Sequence, residues 1–231
     1  MLVGLDLSPG LPFVDRNAYF PQWVESPADA KALWKAVDAV CEADEHLAAS
    51  SVVNHAEIQR HFRHQSGRET ICGDLFEPGR GRLRQCEIAQ KSMGLAPSSC
   101  FNLVGAAQVG KSSLTGMRVL NRLRGAIPVW PFDPLPPSGP VIVEIYTSLA
   151  AREAGMPNGR SKIFDPDTLD TVLKALGSKA HAPIRKYTDH ATDALLTTAW
   201  LRKVHKEERR WHPPGLTAEV ARTEGWTFGV L

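Results

Sequence analysis

No apolar run in this chain approaches the roughly 18 residues that suggest a membrane-spanning helix. No basic segment leading into an apolar stretch opens it, so export is not expected. Cysteine is scarce: Cys41, Cys72, Cys86 and Cys100 are widely spaced and form no Cys-x-x-Cys pair. That usage fits reduced thiols in the cytoplasm. An excess of charge is missing too, since 27 Lys and Arg face 25 Asp and Glu for a net charge of +2. A balanced total neither demands nor excludes nucleic acid, because a local basic patch can hide within it. What remains is an ordinary globular composition, 43% hydrophobic and 23% charged. Its 231 residues suffice for one good core in one or two domains.

The chain opens on Leu2, Val3, Leu5 and Leu7, an apolar run stopped by Ser8-Pro9-Gly10. A short run bounded by turn residues reads as a buried strand. Asp6 interrupts it. A carboxylate near a core is costly unless it is paired, hydrogen-bonded or bound to metal. Asp6 therefore faces a polar site at the strand's end, lies on an exposed edge, or caps the turn.

Helical signals follow. Ser26-Pro27-Ala28-Asp29 starts a helix over about 27–43, with Ser26 as N-cap and Leu33, Trp34, Val37, Val40 and Cys41 at helical spacing. A polar helix is predicted over 54–64, where His61 and His64 share a face but have no companion at metal-site spacing. Arg80, Arg82 and Arg84, beside Gly79 and Gly81, read as a basic loop, solvated or touching phosphates. A short helix over 83–93 is expected to stop at Gly94, and one from Asp165 to stop at Gly177.

Phe101–Val104 reads as a strand running into Gly105-Ala106-Ala107-Gln108-Val109-Gly110-Lys111-Ser112, followed by a helix over 114–123. The pattern G-x-x-x-x-G-K-[ST] is that of a phosphate loop, with backbone N–H groups and the lysine on phosphates and the serine on magnesium. Against a nucleotide hydrolase stand its mid-chain position and the poor strand that follows. The later run Ile127–Asp133 contains two prolines. A glycine-rich turn before a helix is the simpler reading.

Trp130–Pro137 reads as a proline-stiffened surface loop. Val141–Tyr146 is a β-branched run of the kind buried on both faces of a sheet, and Glu144 is a misfit within it. Residues 150–164 read as a polar connection. A late helix runs from Asp189 to Val204, and Asp189 and Asp193 project from one face. Asp189 would suit an N-cap; Asp193 is explained less well, because it abuts Ala194-Leu195. Residues 211–231 read as a tail in which Glu224–Val230 docks as a final strand.

Asp6, Glu144, Asp189 and Asp193 come from distant segments, and carboxylates so arranged can converge on one or two Mg²⁺ or Mn²⁺ ions. Val3–Leu7, Gly110–Met117, Val129–Asp133, Val143–Tyr146, Asp189-His190 with Asp193–Leu195, and Glu224–Val230, in that order, carry a resemblance along the whole chain. The sequence resembles the predicted ribonuclease H-like nucleases of the DUF429 type, a family of unknown function. The resemblance implies an α/β fold, an RNase H-like mixed central sheet flanked by helices. It implies a single domain over 1–231 with a helical insertion at about 26–95 and a C-terminal tail at about 211–231. It also implies metal on Asp6, Glu144 and Asp193, with Asp189 as a fourth acid. Ser8 stands where stronger nuclease relatives often carry a second acid or a polar residue.

The expected activity is divalent-metal-dependent nuclease or phosphodiesterase chemistry, with Lys111 and Arg118 stabilising phosphate charge. Nucleic acid is the partner class this reading admits. A phosphate-loop hydrolase using Gly105–Ser112, with Lys111 and Ser112 on the phosphate, and a non-catalytic scaffold or nucleic-acid-binding protein of the same fold are the alternatives.

Overall fold

A computed structural model describes residues 1–105, 108–157 and 162–231. The opening apolar run forms β1 (Leu2–Leu5), which lies parallel to β4 (Val141–Glu144) with Leu2 opposite Val141 and Leu5 opposite Glu144. Side chains alternate between the faces of a strand. Val141, Val143 and Ile145 therefore enter one core, which also holds Leu196, Trp200 and Trp226. Ile142 enters the other with Leu33, Trp34, Leu114 and Met117, and Val3 and Leu5 pack against it. Both faces of this short parallel pair are covered, as its near-continuous apolar sequence requires.

The second core is closed by α1 (Ala30–Val40) against α3 (Val109–Leu123). The first is closed by α4 (Thr147–Glu153), α5 (Pro166–Ala175) and α6 (Asp189–Val204). Between α1 and α3 come three short 3₁₀ segments, Glu45–Leu47, Ser50–Asn54 and Ile58–His61. A hairpin of β2 (Arg63–Ser66) and β3 (Glu69–Cys72) follows, then α2 (Gln85–Ser92). The chain closes with α7 (Glu208–Trp211) and α8 (Ala218–Thr223). The architecture is mixed α and β. Among the described residues, no helix is long and apolar enough to cross a membrane.

Local signals placed several boundaries well. The helices before Gly94 and Gly177 end at those residues, which take φ of +78° and +72° and cost nothing there for want of a Cβ. Other expectations are corrected. Asp29, not Ser26, caps α1, accepting from the Ala32 amide at 2.9 Å. Thr188, not Asp189, caps α6. The polar helix over 54–64 is a 3₁₀ turn followed by β2. Phe101–Val104 contributes only a single bridge, between Asn102 and Arg63. Part of the polar connection over 150–164 is helical, since α4 reaches Glu153.

The tail is no loose appendage. Trp226, Phe228 and Val230 are fully or almost fully buried, and Thr227 forms a parallel bridge to Glu144.

Candidate active site

Both strands of the parallel pair end at one place. Leu5 is the register partner of Glu144, so Asp6 follows at the carboxyl end of β1. In open α/β sheets, ligand sites gather at these strand ends. A cavity of about 140 Å³ lies here, lined by Asp6, Ser8, Arg84, Glu87, Ser112 and Glu144 among others.

Asp6 and Glu144 are one residue out of register, which starts their side chains toward opposite faces. Glu144 is buried, and Arg84 clamps it: Nη2 donates to Oε1 at 2.6 Å and Nη1 to Oε2 at 2.8 Å. The Thr227 hydroxyl adds a hydrogen bond to Oε1 at 2.7 Å. Arg84 spends its remaining donors on Glu87 Oε1 (3.1 Å), Ser8 Oγ (2.9 Å) and the Glu224 carbonyl (3.1 Å). All five guanidinium N–H groups thus find an acceptor, which a buried arginine needs. Burial raises the pKa of Glu87, and the Arg84 charge and hydrogen bonds oppose the rise.

Asp6 has a different company. It is exposed by surface area, yet protein crowds its carboxyl enough to raise its pKa. Desolvation is the largest cause, repulsion from Asp193 and then Glu144 follow, and Lys162 and His190 offset part of it. Among the described residues, no hydrogen bond satisfies this carboxylate. Asp189 and Asp193 stand one helical turn apart, and Lys162 Nζ bridges them at 3.1 and 3.0 Å. Burial works against the Lys162 charge, but its bonds to Asp193 and Asp189 prevail and raise its pKa.

Sequence reasoning singled out Asp6, Glu144, Asp189 and Asp193, and the structure brings Asp6 near both Glu144 and Asp193. It missed Arg84 and Thr227 as partners of Glu144, and Lys162 as the link between the aspartates. The basic loop over 80–84 is corrected: Arg84 serves Glu144, and buried Arg82 holds Asp15 and the Tyr19 carbonyl. Arg118 is withdrawn from any phosphate. It is fully buried, with Nε on Asp38 at 2.9 Å and Nη1 on the Asp44 and Ala48 carbonyls.

Within the phosphate-loop pattern, Ala106 and Ala107 lie outside the described residues. Lys111 and Ser112 are adjacent on α3 but line two different cavities.

The carboxylates offer hard oxygen donors of the kind Mg²⁺ and Mn²⁺ prefer. The charge balance also fits a cation, since among the described residues the ion pairs of Glu87, Glu144, Asp189 and Asp193 are made to Arg84 and Lys162, and Asp6 has none. Among the described residues, however, no group of three such side chains stands assembled to hold an ion. Arg84 and Lys162 already engage every acid of the cluster except Asp6. No protein-family model, curated protein or solved structure matches this chain.

Proposed function

We propose that the protein is a divalent-cation-dependent phosphodiester hydrolase of RNase H-like architecture, centred on Asp6. One observation carries the reading. Asp6 is an acid without a hydrogen-bond partner among the described residues, set at the carboxyl ends of two parallel strands and crowded by Asp193 and Glu144. An acid held in that state resists ionisation, and a bound cation relieves the cost. Asp6 and Asp193 would hold such an ion, with Glu144 behind them. When bound, it would lower the pKa of a water and polarise a phosphoryl oxygen.

The chain's own groups have separable tasks in this reading. Arg84 fixes Glu144 with both carboxylate oxygens engaged, so that acid keeps one orientation. Lys162 holds Asp189 and Asp193 parallel across one turn of α6 and cancels part of their repulsion. Ser8 lines the same cavity and its hydroxyl accepts from Arg84, which links it to Glu144.

The test is hydrolysis of bis(p-nitrophenyl) phosphate and of short single-stranded DNA and RNA with Mg²⁺ or Mn²⁺. The parent protein should cleave at least one of them and lose the activity in EDTA. Asp6→Asn should fold, by circular dichroism, and fall by a factor of about 100 or more, the scale of losing one key electrostatic group. Cleavage by Asp6→Asn at the parental rate would remove Asp6 from the chemistry. A second reading, a non-catalytic protein of the same fold, is favoured by the close engagement of Glu144 with Arg84. It predicts no turnover with any cation.

A further inference from the structure

A second pocket uses Lys111, Leu114 and Thr115 of α3, where the carboxylate cavity uses Val109 and Ser112. It encloses about 330 Å³ between the first turns of α3, the 3₁₀ segment Ser50–Asn54 and β2. That volume is at the small end of ligand sites, which run from roughly 300 to 1,000 Å³. Val53, Leu103 and Leu114 give it an apolar wall, and Lys111, His64 and Gln65 give it a polar one.

His64 is the telling residue. It is 7% exposed, so it belongs to the interior, yet it lines the pocket. Its Nδ1 lies 3.3 Å from the Gln65 carbonyl oxygen. A carbonyl only accepts, so the neutral ring keeps its proton on Nδ1 and presents Nε2 as an acceptor. No hydrogen bond within the described residues engages Nε2. Lys111 enters the same pocket with its ammonium free of any carboxylate partner among the described residues. A ring nitrogen without a hydrogen-bond partner and an unpaired ammonium among the described residues, lining the pocket together with apolar side chains, suit a ligand with three features. It needs negative charge for Lys111, a hydrogen to donate to His64, and an apolar body for Val53, Leu103 and Leu114.

We propose that this pocket binds a small phosphate monoester carrying an apolar group. A monoprotonated phosphate has both required atoms on one head, an anionic oxygen for Lys111 and a P–OH for His64 Nε2. A carboxylate has the charge but no proton to give. The second pKa of a phosphate monoester is about 6, close to that of an ordinary imidazole, so phosphate and ring nitrogen can share one proton whichever group brings it. The site is separate from the Asp6 cavity and does not rest on the hydrolase reading. It also gives Lys111 a task that leaves Ser112 out.

The experiment is titration of phenyl phosphate, and separately of benzoate, into the full chain at pH 6 in EDTA, followed by calorimetry and by amide shifts. Saturable phenyl phosphate binding is expected, with shifts at Gln65 and at the first turn of α3, and benzoate should bind about tenfold more weakly or not at all. Lys111→Met, whose side chain is exposed, should weaken phenyl phosphate by tenfold or more. His64→Phe keeps the ring's bulk and removes Nε2, and with its fold verified it should weaken phenyl phosphate while leaving benzoate unchanged. Asp6→Asn should bind as the parent does, which separates this site from the hydrolase site. No saturable binding by the parent would overturn the site, as would parental affinity in Lys111→Met. Benzoate binding as tightly as phenyl phosphate would overturn the phosphate assignment.

Discussion

Asp6 sits where its own ionisation is unfavourable, and that has a measurable sign. Its folded-state pKa is raised above the ordinary 3.8 by desolvation, then by Asp193 and Glu144. Between the ordinary value and the raised one, the folded state binds more protons than the unfolded state. Stability therefore falls as pH rises through that window and stays lower above it. Asp6→Asn removes the repelling charge. It is expected to raise the melting temperature at pH 7, with the gain shrinking as pH falls from the raised value to the ordinary one and absent below it. A variant less stable than the parent at pH 7 would mean that Asp6 is compensated after all. The acids were legible because each is chemically out of place in its segment: Asp6 in an apolar run, Glu144 in a β-branched one. Their partners were not. Arg84 stands 60 residues before Glu144 and reads locally as one of three basic residues beside glycines. Lys162 stands 31 residues before Asp193 in a segment with no periodicity to place it.

At the scale of elements, the glycine of the phosphate-loop pattern has a packing reason to be there. A Cβ on Gly110 would stand 2.2 Å from the Cys100 carbonyl oxygen and 2.7 Å from Leu103 Cδ2. The first turn of α3 can lie this close to the 100–103 segment only through glycine. Gly110→Ala would gain about 1 kcal/mol of helix propensity. The backbone contact it creates should cost more, for a net loss of about 1–2 kcal/mol in denaturant titrations, within the range of overpacked sites. Equal or greater stability would show that the approach is loose. A motif defined by Gly, Lys and Ser can thus arise from packing at the glycine, while the lysine and serine serve different cavities. Helix ends were legible elsewhere because caps and stops are local signals, as at Asp165, which accepts from the Thr168 amide at 2.8 Å. The hairpin of β2 and β3 was not. It is largely exposed, so Arg63–Cys72 carries no alternation of apolar residues to announce two strands.

Across the whole molecule, the two ends of the chain meet at the site. Glu224, fully buried, accepts from the amides of Phe13 (2.7 Å), Val14 (2.8 Å) and Gln85 (2.6 Å), while its carbonyl receives Arg84. One side chain near the C-terminus therefore ties together the segment after β1, the start of α2 and the arginine that holds Glu144. Glu224→Ala would orphan three amides at roughly 1 kcal/mol or more each, so a loss of at least about 3 kcal/mol is expected in urea unfolding. A loss under 1 kcal/mol would show that water replaces the carboxylate easily. These long-range ties explain why the sequence conveyed a docked final segment but not its depth: nothing local in Glu224–Val230 says that its first residue braces the opposite end of the chain. The central claim, that the acids around Asp6 take up a divalent cation, is tested most directly by calorimetric titration of Mn²⁺ into the parent protein and into Asp6→Asn. The account predicts saturable binding by the parent that is lost in the folded variant. Binding of equal strength in both, or in neither, would contradict it.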